Sequence, residues 1–432
     1  MNNIDNKPIW EEVKIKKYPS LKQDSYTDIL IIGGGIVGIL CGYELDKRNI
    51  KYMIVEKDRI GSGTTLDTTA FITAQHETLY QDLIKEKGIK TAQEYLSLNL
   101  EALERYKQLA REYNFDYEDC DSIIYSSSDE NIILREKEAL KTLNYDAEIV
   151  TSLEINDEMS LGIKFKNQAK INPRKFIKEI SKHLLIYENT KIIKLKGKYA
   201  YTDKYKIHFK KVIVATHYPL INKTNLLFTK LTQRRSYVAC IEYPQIKNTY
   251  CNIDQDGLYF RSYGKYLLIG GNDRDNKEKC IKSFFNKINK YINGRDIKYY
   301  WSGQDTISLD GIPYIGKCNI LNNDYYIATG FNLWGFTWAM ASGFIIADLI
   351  ENKKKYHIVD PNRFFINKNL FKNISTSLKN LLTFKKPRCT HLGCALNYNE
   401  KEEVWECPCH GSRYDKNGIV LNGPATKDKD MS

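Results

Sequence analysis

The chain has 432 residues, and its 65 basic and 53 acidic side chains leave a formal charge of +12. An apolar share of 42% with 27% charged residues fits a globular protein of two or three domains and excludes a disordered or fibrous one. Lysines are spread along the chain without a basic–aromatic motif, which argues against nucleic acid as a partner, and no apolar run approaches the ~20 residues of a membrane span. The polar start, MNNIDNKPIWEE, lacks the apolar core of a signal peptide, so the expected location is cytoplasmic.

In chain order, residues 28–32 (DILII) read as a buried strand, 35–47 as a helix and 51–55 (KYMIV) as a second strand. Such a βαβ unit points to a parallel sheet. Helical periodicity returns over 91–113 and 129–143, and a strand-rich middle follows over 191–275, including 211–215 (KVIVA). Residues 335–350 are an apolar helix candidate with small residues on one face. A basic, Asn-rich stretch over 353–388 reads as a linker, with 366–388 as helix or linker rather than a series of strands.

Gly33-Gly34-Gly35-Ile36-Val37-Gly38 fits G-x-G-x-x-G between a strand and a helix. Gly33 permits the turn, Gly35 lets the backbone approach a pyrophosphate, and Gly38 lets helix and sheet pack closely. The free N–H groups of the helix start suit phosphates, and Glu56, at the end of the second strand, suits a ribose diol. The pattern defines a dinucleotide site without choosing between FAD and NAD.

Four segments decide that choice by resemblance. The Gly/Thr-rich run 61–76 (GSGTTLDTTAFITAQH), the strand 212–216 (VIVAT), and the stretches 311–316 (GIPYIG) and 329–337 (TGFNLWGFT) resemble the D-amino-acid-oxidase-like (glycine-oxidase-like) FAD family, in the family's order. The resemblance implies FAD held by Gly33, Gly35, Ile36, Val37, Gly38, Glu56, Lys57, Thr64, Thr65, Thr69, Ala215, Thr216, Gly316, Gly330, Phe331, Trp334, Gly335, Phe336 and Thr337. It also implies a small amine or amino-acid substrate that gives hydride to the flavin. Substrate-contact candidates are Tyr259, Arg261 and Arg234; Tyr259, Arg261 and Tyr263 share one strand face, and an arginine fork suits a carboxylate. A solvated or structural role for Arg261 stays open, and Arg234 and Arg235, being adjacent, cannot both point inward. His76 and His217 border flavin motifs and are equally readable as structural histidines.

Of ten cysteines, Cys41, Cys120, Cys240, Cys251, Cys280 and Cys318 are scattered and read as small buried residues. The other four lie in Cys389-Thr390-His391-Leu392-Gly393-Cys394 and Cys407-Pro408-Cys409-His410, a C-x-H and C-x-x-H spacing. Both loops resemble the Rieske proteins of respiratory bc-type complexes. That resemblance implies a [2Fe–2S] cluster on Cys389, His391, Cys407 and His410, a disulfide between Cys394 and Cys409, and hydroxyl donors Ser412 and Tyr414 toward the cluster sulfurs. It also implies a covering loop, Gly423-Pro424-Ala425. Zinc is the alternative for Cys/His pairs, but it leaves the extra cysteines and the covering loop without a role. The strands that usually precede the first ligand loop are missing from the sequence, so the module reads as shortened.

The expected fold class is α/β: a Rossmann-like FAD-binding domain (27–92, 163–217 and 301–352), an interleaved α+β substrate domain (93–162 and 218–300), a linker (353–374) and a small all-β Rieske-type module (375–432). The expected function is an FAD-dependent oxidoreductase, a dehydrogenase acting on CH–NH donors, that passes electrons through the cluster to an external one-electron carrier. A flavin/iron–sulfur electron-transfer protein without an amine substrate, and a redox sensor, remain the alternatives.

Overall fold

The strand Ser25–Ile32 lies at the middle of the first sheet, and its run Ile29–Ile32 is buried on both faces, as a central parallel strand must be. Parallel neighbours are Lys206–Val214 on one side and Tyr52–Val55 on the other, continued by Tyr325–Thr329 and Ile186–Tyr187 at the two flanks. Tyr314–Lys317 adds an antiparallel edge, and the short strands Lys194–Lys196 and Tyr199–Tyr201 extend the start of Lys206–Val214. The structure is a computed structural model and describes residues 5–221, 226–255, 257–271, 281–318, 324–383, 386–400 and 402–431.

The helices Ile36–Lys47 and Gly335–Ile350 pack against each other, and Gly343 explains the small-residue face expected there. A Cβ at Gly343 would stand 3.1 Å from the Leu40 carbonyl oxygen, so the two backbones meet almost directly.

A second, nine-stranded sheet runs in the order Ile297–Ser308, Leu231–Glu242, Tyr266–Gly271, Leu258–Tyr263, Thr249–Asn252, Glu118–Ser126, Leu161–Lys170 and Phe71–Ile72, with Glu148–Val150 on Leu161–Lys170. The segments 27–92, 163–217 and 301–352, expected as the FAD-binding domain, each also lend a strand or most of one to this sheet. A third sheet, Asn397–Asn399, Val404–Glu406, Arg413–Asp415 and Val420–Asn422, is antiparallel throughout and carries the cluster loops. Before it, Lys368–Leu381 is a helix, the helical reading of 366–388, and it spans residue 374. Cys41, Cys120, Cys240, Cys251 and Cys318 are buried; Cys280 lies outside the described residues.

Arg261 is corrected from a substrate contact to an internal strut. Its strand face is covered by the N-terminal segment, whose Trp10 ring lies 5.5 Å from the guanidinium. The side chain is fully buried, and Nη1 donates to the carbonyls of Thr69 (2.6 Å), Ala70 (2.9 Å) and Ile171 (3.0 Å). Two segments distant in sequence, 69–70 and 171, are thereby tied to one cation. Tyr263 on the same face donates to Asp116 (3.0 Å) and accepts from Asn172 (2.6 Å). Arg261→Met would leave three carbonyls without their donor and cost about 3 kcal/mol, read as a lower urea midpoint of the purified protein.

Candidate functional site

A cavity of about 1520 Å³ opens where the first sheet, the second sheet and the cluster module meet. Its nucleotide end is built by the glycine turn. Gly33 has φ +113°, and a Cβ there would overlap the Ala215 carbonyl oxygen; a Cβ on Gly38 would overlap the Gly33 carbonyl oxygen. The helix Ile36–Lys47 begins without a side-chain cap of its own, and Thr65 Oγ1 accepts the Ile36 N–H at 3.0 Å. Glu56 accepts from the Gly34 N–H (2.6 Å) and the Asp58 N–H (2.9 Å). Burial raises its pKa, while the two N–H groups oppose the rise. Ile36, Val37, Lys57, Thr64, Thr65, Thr69, Ala215 and Thr216 line the wall with Gly33, Gly35 and Glu56. This is a cradle shaped for a dinucleotide backbone.

The other end is the turn Phe331–Trp334 and the start of the helix Gly335–Ile350. Gly330, Phe331, Leu333, Trp334, Gly335 and Phe336 all line the wall. Asn332 and Leu333 hold left-handed backbone, φ +55° and +74°, which for leucine is costly. The surroundings enforce it: the Asn332 side chain accepts the Ser308 N–H at 2.8 Å and donates to the Gly311 carbonyl at 2.9 Å. The turn thereby aims the positive end of the helix dipole into the cavity.

Three expected flavin contacts lie behind the wall. Gly38 packs on Gly33, Gly316 packs near Leu349 and Pro361, and Thr337 is buried beside His76. His76 is a structural histidine: it is stacked on Trp334 at 4.8 Å, bonded to Tyr95 Oη (2.6 Å) and the Thr73 carbonyl (2.9 Å), and pushed down to about 3 by burial. His217 does line the wall, 3.1 Å from Thr306 Oγ1, and burial lowers it to about 4. Tyr259 lines the cavity, whereas Arg234 is exposed and away from it.

In the C-terminal module, Cys389, Cys394, Cys407 and Cys409 are all buried, and the last three sulfurs lie within 4.8 Å of one another. The thiols of Cys389, Cys394 and Cys409 gather around Cys407 and lower its pKa far below that of a free thiol. The His391 and His410 rings meet edge to face at 5.0 Å. His410 is buried, and neither ring nitrogen has a hydrogen-bond partner among the described residues. Two imidazoles and a crowded set of sulfurs fit an iron–sulfur cluster. Tyr414 Oη lies 3.4 Å from Cys389 Sγ and accepts the Thr390 N–H at 2.9 Å. Ser412 Oγ accepts the Ala425 N–H at 3.0 Å, tying the Gly423-Pro424-Ala425 loop to the second ligand loop.

The module is seated on the body of the protein. Glu402, only 8% exposed, pairs with Arg235 of the second sheet, accepts from Tyr237 Oη, and pairs with Arg413 of its own module at 2.8 Å. Gln304 Nε2 donates to the Gly411 carbonyl at 2.7 Å. The Tyr218 ring stands 5.7 Å from His391, and the Phe228 ring 6.0 Å from His410. Thr390, His391 and residues 420–428 complete the wall of the flavin cavity.

Residues 28–349 match the FAD dependent oxidoreductase family, and residues 369–430 match the Rieske [2Fe-2S] domain. The chain therefore belongs to the FAD dependent oxidoreductases and carries a C-terminal Rieske domain, with FAD and a [2Fe–2S] cluster as its cofactors. A Bacillus subtilis (strain 168) protein, YhfW, which bears the name of a Rieske 2Fe-2S iron–sulfur protein, is 29% identical over 96% of this chain and 94% of its own. The fold resembles L-proline dehydrogenase from P. horikoshii (TM-score 0.65, 23% identity, 80% of this chain and 98% of that one). Glycine oxidase from Geobacillus kaustophilus is similar too (TM-score 0.65, 17% identity, 79% and 100%).

The sequence reading missed Tyr218, Phe228, Gln304 and Glu402, which carry no local motif and matter only through the interface. Two outcomes test the site. Gly33→Ala should weaken FAD binding by about a hundredfold, roughly 3 kcal/mol, read as loss of flavin absorbance after dialysis. Glu402→Gln should leave Arg235 and Arg413 facing each other, cost about 3 kcal/mol of docking, and expose the segment before Cys389 to limited proteolysis while the FAD content holds.

Proposed function

We propose that the protein dehydrogenates a small amine at FAD and passes the electrons through its own Rieske cluster to an external one-electron carrier. The observation that carries this reading is the shared wall: His391 and the 420–428 loop close the cavity that the flavin residues build. Bound FAD supplies hydride acceptance and the cluster supplies one-electron acceptance. Cys389, His391, Cys407 and His410 are the ligand set of this reading. Cys394 and Cys409 are its disulfide pair; both are thiols in the structure, with sulfurs close enough to join after a small movement.

The lining also narrows the substrate. Wall residues contributed by strands of the second sheet include Phe71, Cys251, Asn252, Tyr259 and Asp305, and among the described residues none of that sheet's contributions is a lysine or arginine. With Arg261 sealed away and Arg234 outside, nothing there makes a carboxylate fork. Asp305 and Asp67 lie near each other in the wall, and Asp67 is raised to about 7 by burial first and by Asp305 second. An acidic, aromatic chamber suits an organic ammonium ion better than an amino-acid carboxylate. The chain's residues would thus hold a cation by charge and aromatic faces, while the turn at Asn332–Leu333 fixes the flavin end.

Anaerobic stopped-flow mixing with a panel of amines and amino acids tests this. An amine should bleach the flavin, and the EPR signal of a reduced cluster should follow. A bleached flavin beside a cluster that stays oxidised sinks the coupled scheme. Reduction by no amine, but by a reduced carrier protein, would favour an electron-transfer protein instead.

A further inference from the structure

The helix Lys368–Leu381 is amphipathic, yet none of its residues is buried. Its orientation is the reverse of that of an ordinary surface helix. The polar side faces the protein: Asn373 Nδ2 donates to the Thr229 carbonyl at 2.9 Å, the Asn380 carbonyl accepts the Ala395 N–H at 3.0 Å, and the Thr376 carbonyl faces Cys409 Sγ at 4.0 Å. Phe371 and Leu378, seven residues apart, and Leu382 just beyond the helix end fall on one stripe at helical spacing. That stripe faces solvent: Phe371 is 62% exposed, Leu378 54% and Leu382 69%. Phe364 (81%) and Ile366 (64%), immediately before the helix, add two more exposed apolar side chains. Five large apolar groups in one short segment exceed what a monomer surface leaves in water without a reason.

Charge selects the occupant. Lys368, Lys372 and Lys379 fall beside the apolar stripe at helical spacing, and the sequence has no acidic residue between Asp360 and Glu400. A helix with an apolar stripe flanked by lysines is the pattern of a segment lying in a membrane interface, its rings and leucines among the acyl chains and its ammonium groups at anionic headgroups. No helix among the described residues is long and apolar enough to cross a membrane, so the contact is a peripheral one. We propose that Lys368–Leu381 and its flanks dock the protein on an anionic lipid bilayer. The docking face lies on the same helix that touches the Cys409 side of the cluster module. The cluster is then carried next to the membrane surface, where lipid-soluble or membrane-held electron carriers reside.

The test uses the full-length protein with both cofactors. It is co-sedimented with vesicles of phosphatidylcholine alone and with vesicles containing phosphatidylglycerol, at low and near-physiological salt. The expected result is binding to the phosphatidylglycerol vesicles, weakened by salt, and none to phosphatidylcholine. The variant F371S/L378S/L382S, and separately K368E/K372E/K379E, should each lower partitioning by roughly tenfold or more, with flavin and cluster spectra unchanged. Those residues are exposed, so retained spectra certify folding. Absence of vesicle binding at low salt, or binding that both variants keep, overturns the proposal. So does a dimer seen by sedimentation velocity that F371S/L378S/L382S abolishes, which would assign the stripe to a second copy of the chain.

Discussion

Glu402 stands between two guanidinium groups, one from each side of an interface, and is nearly shut off from water. A buried carboxylate there relies on both arginines, which are also held by Glu406 on the module side and Ser302 on the body side. Everything that gives the two redox sites a common wall depends on that arrangement. With Arg235 held, Gln304 reaches the Gly411 carbonyl, the second ligand loop lies down on the body, and the His391 ring comes up to Tyr218. The interface is polar at this point and aromatic at Phe228 and Tyr218, so register is set by charge and contact area by rings.

The module itself explains why such seating is needed. Its four strands have three residues each, and its buried apolar cluster consists largely of the cysteines, with Leu396, Tyr414 and Ala425. A unit this small buries too little surface to hold a set of crowded thiols and the buried His410 imidazole. It has two further sources of stability: the metal it encloses and the body it leans on. The connection from the flavin domain runs from 351 to 388 and includes the helix Lys368–Leu381.

Much of this architecture was readable in the sequence, and the division follows a physical line. Gly33, Gly38 and Glu56 act through backbone geometry within one βαβ unit, so spacing alone marks them. The Cys–His loops are equally local. Arg261 was placed on the correct strand face, but the outcome rested on what covers that face, and Trp10 lies 251 residues earlier in the chain. Gly316 and Thr337 sit inside flavin motifs and yet support the wall from behind, a difference of one layer that no motif encodes. Glu402 and Gln304 look like ordinary polar residues until their partners, 167 and 107 residues away, are in place.

The seating of the two histidines has a further consequence. His410 is sealed beneath Phe228, and His391 looks into the cavity. The imidazole edge of the module is thus spent on an internal junction. A small molecule that fits the cavity can approach His391, while a folded protein is too large to enter. Size alone then decides what reaches the imidazole edge, and no gate has to move.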